Sequence, residues 1–226
     1  MKPPAVAGAE IEISLRRLAY ERFKDALFAE RIRPGEFLSQ RELSETLDVP
    51  LGPIREALKS LEAERIVTLL PKRGIRVVSV DEAMLAEAYD ARSVIEGYAI
   101  HLFAETAKQS EIQKLIKETK SFIRRFKSGQ RNSAALLRER SDIDYLLHDT
   151  IVKKANNPFL EDAYLRSTEF VRLFRLNIGK KYGFFDTPGL DEHLVILDAL
   201  LGRDTEGACA ALAEHLVNGR DRALGR

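Results

Sequence analysis

With a single cysteine, Cys209, the chain has no internal disulfide framework available to it. Its fold must therefore be held by an apolar core, and it suits a reducing cytosol. No apolar run approaches the roughly 18–20 residues that span a bilayer, and the opening MKPPAVAGAE lacks the apolar centre of a signal peptide. The expectation is a cytoplasmic protein with no membrane partner, its residues 1–10 a loose leader. Excess charge of one sign is also missing: 36 Lys and Arg stand against 35 Asp and Glu, a formal net charge of +1. With about +2 over residues 1–80 and about −1 beyond, any binding of nucleic acid must rest on a local patch rather than on bulk charge. Phosphate-cradling glycine loops, internal repeats and low-complexity segments are absent as well. What is present is 45% apolar residues, enough for two modest domains with real cores.

The most informative stretch is Ser39 to Arg76. Ser39-Gln40-Arg41-Glu42 has the S-x-x-E form of a capping box and opens a short helix with Leu43 and Leu47 on one face. Asp48 to Gly52 makes a tight corner, and Pro53 suits the first turn of a second helix, where its missing N–H costs nothing. That helix carries Ile54, Ala57, Leu58 and Leu61 at the spacing of a buried stripe. Two aliphatic runs, Ile66 to Leu70 and Ile75 to Val80, flank Pro71-Lys72-Arg73-Gly74 and read as a two-stranded hairpin. Two helices meeting at a tight turn, followed by a basic-tipped hairpin, spell a winged helix-turn-helix; a small helical bundle with solvated charges is the plainer alternative. The second helix of such a unit lies in the major groove. Arg55 and Lys59 are on its outward face, and Lys72, Arg73 and Gly74 form the wing tip. A first helix over about Ile13 to Arg31 completes a domain spanning residues 11–80.

Beyond Val80 the composition turns helical. Helices are expected over about 81–107, 110–127, 133–155, 158–179, 190–201 and 204–224, separated by glycine, proline and asparagine breakers, with Ser79 or Asp81 capping the first. In that first helix Leu85, Ala88, Val94, Ile95, Tyr98, Ala99 and Phe103 form the expected inward face of an all-α antiparallel bundle over residues 81–226. The fold class is thus mainly α. Three of the four histidines fall within it. Asp144 and His148 are four residues apart and project from one helical face, while His193 and His215 lie in the last two helices. One carboxylate and three imidazoles converging in a bundle would hold a divalent ion, zinc foremost, with nickel or manganese as further candidates. By spacing alone, each is equally well a surface or packed residue.

The same residues carry a resemblance. Ile32-Arg33-Pro34-Gly35-Glu36, Arg41-Glu42-Leu43-Ser44, Pro53-Ile54-Arg55-Glu56-Ala57-Leu58 and Arg73-Gly74, at their mutual spacing, resemble the DNA-binding domain of the GntR family of bacterial transcriptional regulators. Arg92-x-x-x-Glu96, Asp144-x-x-x-His148, Asn156-Asn157-Pro158, Glu192-His193 and Ala208 to Leu216 resemble the effector domain of its FadR-type branch, the FCD domain. The resemblance implies a homodimer on a pseudo-palindromic operator, with Arg41 and Arg55 at DNA-contacting positions. It implies an ion held by Asp144, His148, His193 and His215, and a small carboxylate effector met by Arg92, with Tyr145 and Arg172 as further contacts. His101 has no counterpart and reads as structural. One departure is Pro50-Leu51-Gly52, where the family has Ser-Arg-Thr. Leu51 and Gly52 lose those polar side-chain contacts, leaving Leu51 a thymine methyl to pack on, and the variant hints at a subgroup that handles aromatic acids. The function implied is a ligand-responsive regulator, a repressor rather than an enzyme. A metal-dependent hydrolase and a DNA-binding protein with a ligand-inert second domain are the rivals.

Overall fold

A computed structural model describes residues 5–29, 31–128, 134–182 and 187–226, and the side chains among them of 14–27, 29, 31–128, 139–175 and 187–226. The chain forms two compact units, Met1–Val80 and Asp81–Arg226.

In the first unit, α1 (Ala5–Phe28) packs on α3 (Leu51–Ala63), and α2 (Gln40–Leu47) packs against both. Helix α1 begins at Ala5, inside the stretch that reads as a leader; Ala5, Ala7 and Ala9 are strong helix formers, and propensity carries the helix back to the proline pair. Ser39 caps α2: its side chain accepts from the Glu42 amide, and the Glu42 carboxylate accepts from the Ser39 amide at 2.7 Å. The helix stops because Asp48 turns left-handed, at φ 50°. Arg22 of α1 locks that corner, donating to the carbonyls of Leu47 at 2.8 Å and Asp48 at 2.6 Å. Helix α3 starts two residues before the expected Pro53, so Leu51 and Gly52 belong to its first turn rather than to the corner. Ile54, Ala57, Leu58 and Leu61 are buried, as their spacing requires.

The wing has three strands, not two. β2 (Val67–Leu70) and β3 (Gly74–Val77) pair antiparallel, and β1 (Phe37–Leu38) adds to the far edge of β3 with Phe37 opposite Arg76. Two residues carry no readable alternation, so β1 could not be seen in the sequence. Gly74 is required where it stands: its φ is +117°, and a Cβ there would run into the Leu38 carbonyl of β1.

Replacing Arg22 with alanine should leave the C-terminal carbonyls of α2 without their charged donor. A loss of about 1–2 kcal/mol is expected, read as an earlier urea midpoint for the first unit; an unchanged midpoint would show that the corner holds without it.

The second unit is a bundle of α4 (Glu82–Thr106), α5 (Gln109–Lys127), α6 (Ala134–Lys154), α7 (Pro158–Tyr182), α8 (Pro188–Leu201) and α9 (Thr205–Leu224). Helix α4, capped by Asp81 through the Met84 amide, is central and packs against α6, α7 and α9; α8 lies between α5 and α9. Its buried face is not quite the expected one. Leu85, Ala88, Ile95, Ala99 and Phe103 are inside, but Val94 is 75% and Tyr98 55% exposed. Arg92 and Glu96 take the inward positions in their place, both almost fully buried. Among the described residues no helix is long and apolar enough to cross a membrane.

Candidate metal centre and nucleic-acid interface

Three imidazoles from three helices meet at the centre of the second unit. His148 (α6), His193 (α8) and His215 (α9) are buried, and one nitrogen from each can be chosen so that all lie within 4.8 Å of one another. The Nε2 atoms of His193 and His215 are 3.1 Å apart, and those of His215 and His148 are 3.2 Å apart. Ligands held about 2.0–2.1 Å from one centre have neighbouring nitrogens roughly 3 Å apart, so the triangle is of the right size for a divalent ion.

The outer nitrogens fix the tautomers. His148 Nδ1 lies 2.5 Å from Glu96, and His215 Nδ1 lies 2.7 Å from Glu192. Burial works to raise the Glu96 carboxyl, but Arg92 and His148 outweigh it and hold it at about 2. At Glu192 burial is likewise overcome, by the bonds from His215 and Arg222, and its pKa is also about 2. Two ionised carboxylates can only accept, so both Nδ1 atoms carry a proton, and it is the Nε2 atoms, 3.2 Å apart, that are left facing the common spot. Burial and the neighbouring His148 push the His215 pKa down to about 4 despite Glu192, and burial with His215 and His148 lowers that of His193 well below the ordinary imidazole range. These two imidazoles are therefore neutral at neutral pH, as metal ligands must be. A carboxylate behind an imidazole is the usual outer shell of such a site.

Asp144 stands at the edge of this group rather than within it. Its Oδ2 accepts from Arg175 at 2.7 Å and pairs with Arg140 at 3.5 Å. Its Oδ1 flanks Gly189, where an added Cβ would lie 3.7 Å from that oxygen and 3.8 Å from His215 Cε1. Burial would raise its pKa, but Arg140 and Arg175 keep the carboxyl well below the ordinary range. Exposed His101 lies on α4, outside the cluster.

Around the histidines lies a buried cationic wall. Arg92 donates from Nε to Glu96 at 2.6 Å, the helical pair that the spacing allows, yet Glu96 also serves His148, so one carboxylate ties Arg92 to the imidazoles. The Tyr145 ring is buried, with the Arg172 guanidinium 4.0 Å and the Arg92 guanidinium 5.8 Å from its centroid. Sequence reasoning missed Arg175 and the outer-shell roles of Glu96 and Glu192. The signal was there for Arg175: it follows Thr168 and Arg172 at helical spacing, directly after the buried apolar residues Val171, Leu173 and Phe174.

In the first unit exposed basic residues stand on α2, α3 and the wing, as others do on and after α1. Arg55 is exposed on α3, and its Nε donates to Gln40 at 2.9 Å, so a residue that sequence reasoning passed over orients it. Arg41 pairs with Glu45 and Lys59 with Glu56. Lys72 sits at the wing tip in a left-handed turn, φ 62°, with exposed Arg73 beside it. Leu51 is 40% exposed, and a Cβ on Gly52 would meet nothing within 4 Å. The first turn of α3 therefore opens to solvent, with the amides of residues 51 and 52 unspent within the helix.

A winged helix-turn-helix joined to an all-helical unit with a buried three-histidine cluster is the architecture of a two-domain bacterial transcription regulator. The comparisons agree: the model for "Bacterial regulatory proteins, gntR family" matches residues 15–77, and that for the FCD domain matches residues 87–218. The chain belongs to the GntR family, with an FCD domain as its second unit. It is 26% identical over 211 residues to the gluconate operon transcriptional repressor of Bacillus subtilis (strain 168), covering 91% of this chain and 83% of that one. To the HTH-type transcriptional repressor GlaR of Escherichia coli (strain K12) it is 27% identical over 203 residues, or 88% and 90% of the two chains. In fold it matches E. coli McbR/YncC with a TM-score of 0.73 at 19% identity, covering 93% of this chain and 97% of that one. A putative transcriptional regulator GntR from Rhodococcus sp. RHA1 matches with a TM-score of 0.72 at 22% identity, covering 94% and 98%. The chain is a transcriptional regulator and not an enzyme, which removes the hydrolase alternative.

Proposed function

We propose that the protein is a repressor whose FCD domain carries a divalent ion, zinc foremost, and senses a small carboxylate metabolite. The observation that carries this reading is the set of three converging Nε2 atoms backed by two ionised carboxylates. When bound, the ion supplies two positive charges and an open coordination position. The residues of the chain do the rest. His148, His193 and His215 hold the ion, with Asp144 at its edge offering Oδ1 while Arg175 keeps Oδ2. Arg92, Tyr145 and Arg172 receive the effector. That relatives are named as repressors, one of them of a gluconate operon, supports both the sign of the response and an acidic effector.

The outward Val94 and Tyr98 on α4 support a second copy of the chain as partner, since two large apolar side chains one turn apart gain by being covered. A dimer of this kind presents two winged domains to a pseudo-palindrome. An effector that binds one arrangement of the dimer more tightly than another then changes operator affinity.

On DNA, Arg55, positioned by Gln40, reads bases from α3, with Arg41 and Lys59 beside it, and Leu51 packs on a thymine methyl. Gly52 keeps the start of α3 bare, so its amides can approach a phosphate where the family's polar side chains are missing. Lys72 and Arg73, on the turn that Gly74 permits, take phosphates or the minor groove. The test is a titration of the full chain on a duplex that it selects from a random pool. Arg55→Ala should weaken binding by about 1–3 kcal/mol, and affinity should fall steeply as salt rises, because phosphate contacts release counterions. A chain that selects no duplex, or a flat salt response, would end this reading. A ligand-inert second domain would show as a melting temperature indifferent to every metal and metabolite tried.

A further inference from the structure

The face that α7 turns towards the histidine cluster carries more unspent hydrogen-bond donors than one carboxylate can use. Thr168, Arg172 and Arg175 recur at i, i+4 and i+7, one above another on the helix. The Thr168 hydroxyl and the Nε atoms of Arg172 and Arg175 are buried with no partner, and so are Tyr145 OH and Arg92 Nη2. Thr168, Tyr145 and Arg92 are each only 2% exposed. These groups belong together, because the charges of Arg175, Arg172 and Arg92 all act on the Tyr145 hydroxyl. Polar groups so deep are ordinarily satisfied, and a cluster of unsatisfied ones points to an absent partner.

The chemistry of the missing partner follows from what the cluster can and cannot do. Guanidinium groups donate and never accept. The carboxylates close by are already engaged: Glu96 by Arg92 and His148, Asp144 by Arg175, Glu169 by Arg172. A chain of ligand hydroxyls would find few acceptors here, whereas a second carboxylate suits the donors, above all the planar guanidinium groups. Charge points the same way. Arg92, Arg140, Arg172 and Arg175 balance Glu96, Asp144, Asp149 and Glu169, so the two charges of a bound ion would be left over. One carboxylate cancels one of them and two cancel both.

We propose that the effector is a short dicarboxylate, one end taken at the histidine cluster and the other at a second anion subsite formed by Arg172 and Arg175 with Thr168 and Tyr145. This rests on the metal-and-carboxylate reading and names the class of ligand within it. The two subsites are close, since the ring centroids of Tyr145 and His148 are 6.4 Å apart, so a few carbons bridge them.

The test is calorimetric titration of the zinc-loaded full chain with succinate, glutarate and adipate, each paired with its monomethyl ester, which keeps the length and removes one charge. The best diacid should bind at least about tenfold more tightly than its ester, the scale of one charge-assisted contact. In Arg172→Gln that ratio should fall towards one with the zinc content unchanged, since Arg172 bonds to Glu169 and stacks on the Tyr145 ring. Thr168→Val should reduce the ratio in the same direction. If diacid and ester bind equally to the wild type, the second subsite is wrong while the carboxylate reading stands. If neither diacids nor esters bind, both fall. If the diacid preference survives both substitutions, the preference does not come from α7 and the assignment fails.

Discussion

Glu96→Ala should lower the stability of the helical domain by about 3–5 kcal/mol, the largest effect expected of any single substitution in this chain. Glu96 is fully buried and serves two partners, accepting from Arg92 Nε at 2.6 Å and from His148 Nδ1 at 2.5 Å. Alanine removes both acceptors at once. Arg92, almost fully buried and with its pKa driven above the ordinary arginine value by Glu96 and nearby tyrosines despite burial, cannot shed its charge. It would be left as an uncompensated cation in the core, and that is where the cost lies. In a domain of this size each kcal/mol moves the midpoint by roughly 2–4 °C, so a fall of about 6–20 °C is expected in thermal unfolding followed by circular dichroism. Glu96→Gln, which keeps one acceptor oxygen, should lose less. A midpoint within a degree or two of wild type for Glu96→Ala would mean that the Arg92–Glu96–His148 chain is not buried as described.

The second large effect concerns the ion. Purified protein should carry about one divalent ion per chain by elemental analysis, and His148→Ala/His215→Ala should carry none. The double substitution takes away two of three converging nitrogens and leaves His193 alone. Glu192→Gln is a subtler probe. Glu192 accepts from His215 Nδ1 at 2.7 Å and is itself gripped by both Nη atoms of Arg222, at 2.6 and 2.8 Å. Losing such an outer partner typically weakens metal affinity by about 10–100-fold, so competition with a chromogenic chelator should show a shift rather than a loss. Retention of a full equivalent by the double variant, with its helical spectrum intact, would place the ion elsewhere or nowhere. The two experiments share His148 but read different quantities, the unfolding midpoint in the first and the ion content in the second.

Much of this was legible in the chain itself, because local chemistry decides it. The Ser39 capping box, the cap at Ser79 or Asp81 that falls to Asp81, the breakers between helices and the buried stripe of α3 depend on neighbours within a few residues, and the helices after α1 stand within a few residues of where the pattern puts them, while α1 starts eight residues early. The spacing of Asp144 and His148 placed both on one face of α6. The resemblance added the family, which the matches over residues 15–77 and 87–218 bear out. What the pattern misread is instructive. Val94 and Tyr98 are apolar and so appeared to be core, while the buried positions went to Arg92 and Glu96. Hydrophobic periodicity assumes that the inside of a bundle is apolar, and a bundle built around a polar centre breaks that assumption at the centre.

Sequence by itself thus determined the two domains' helices, most of their ends apart from the starts of α1 and α3, and the residue types available for a metal and for DNA, since each of these follows from contacts between residues near in the chain. Only the tertiary structure decided that His148, His193 and His215 point one nitrogen each at a common spot, that Glu96 and Glu192 stand behind two of them, that Arg175 holds Asp144, and that Gln40 holds Arg55. Those partners lie from 15 to 67 residues apart in the chain. No local rule relates them; helices packing side by side do.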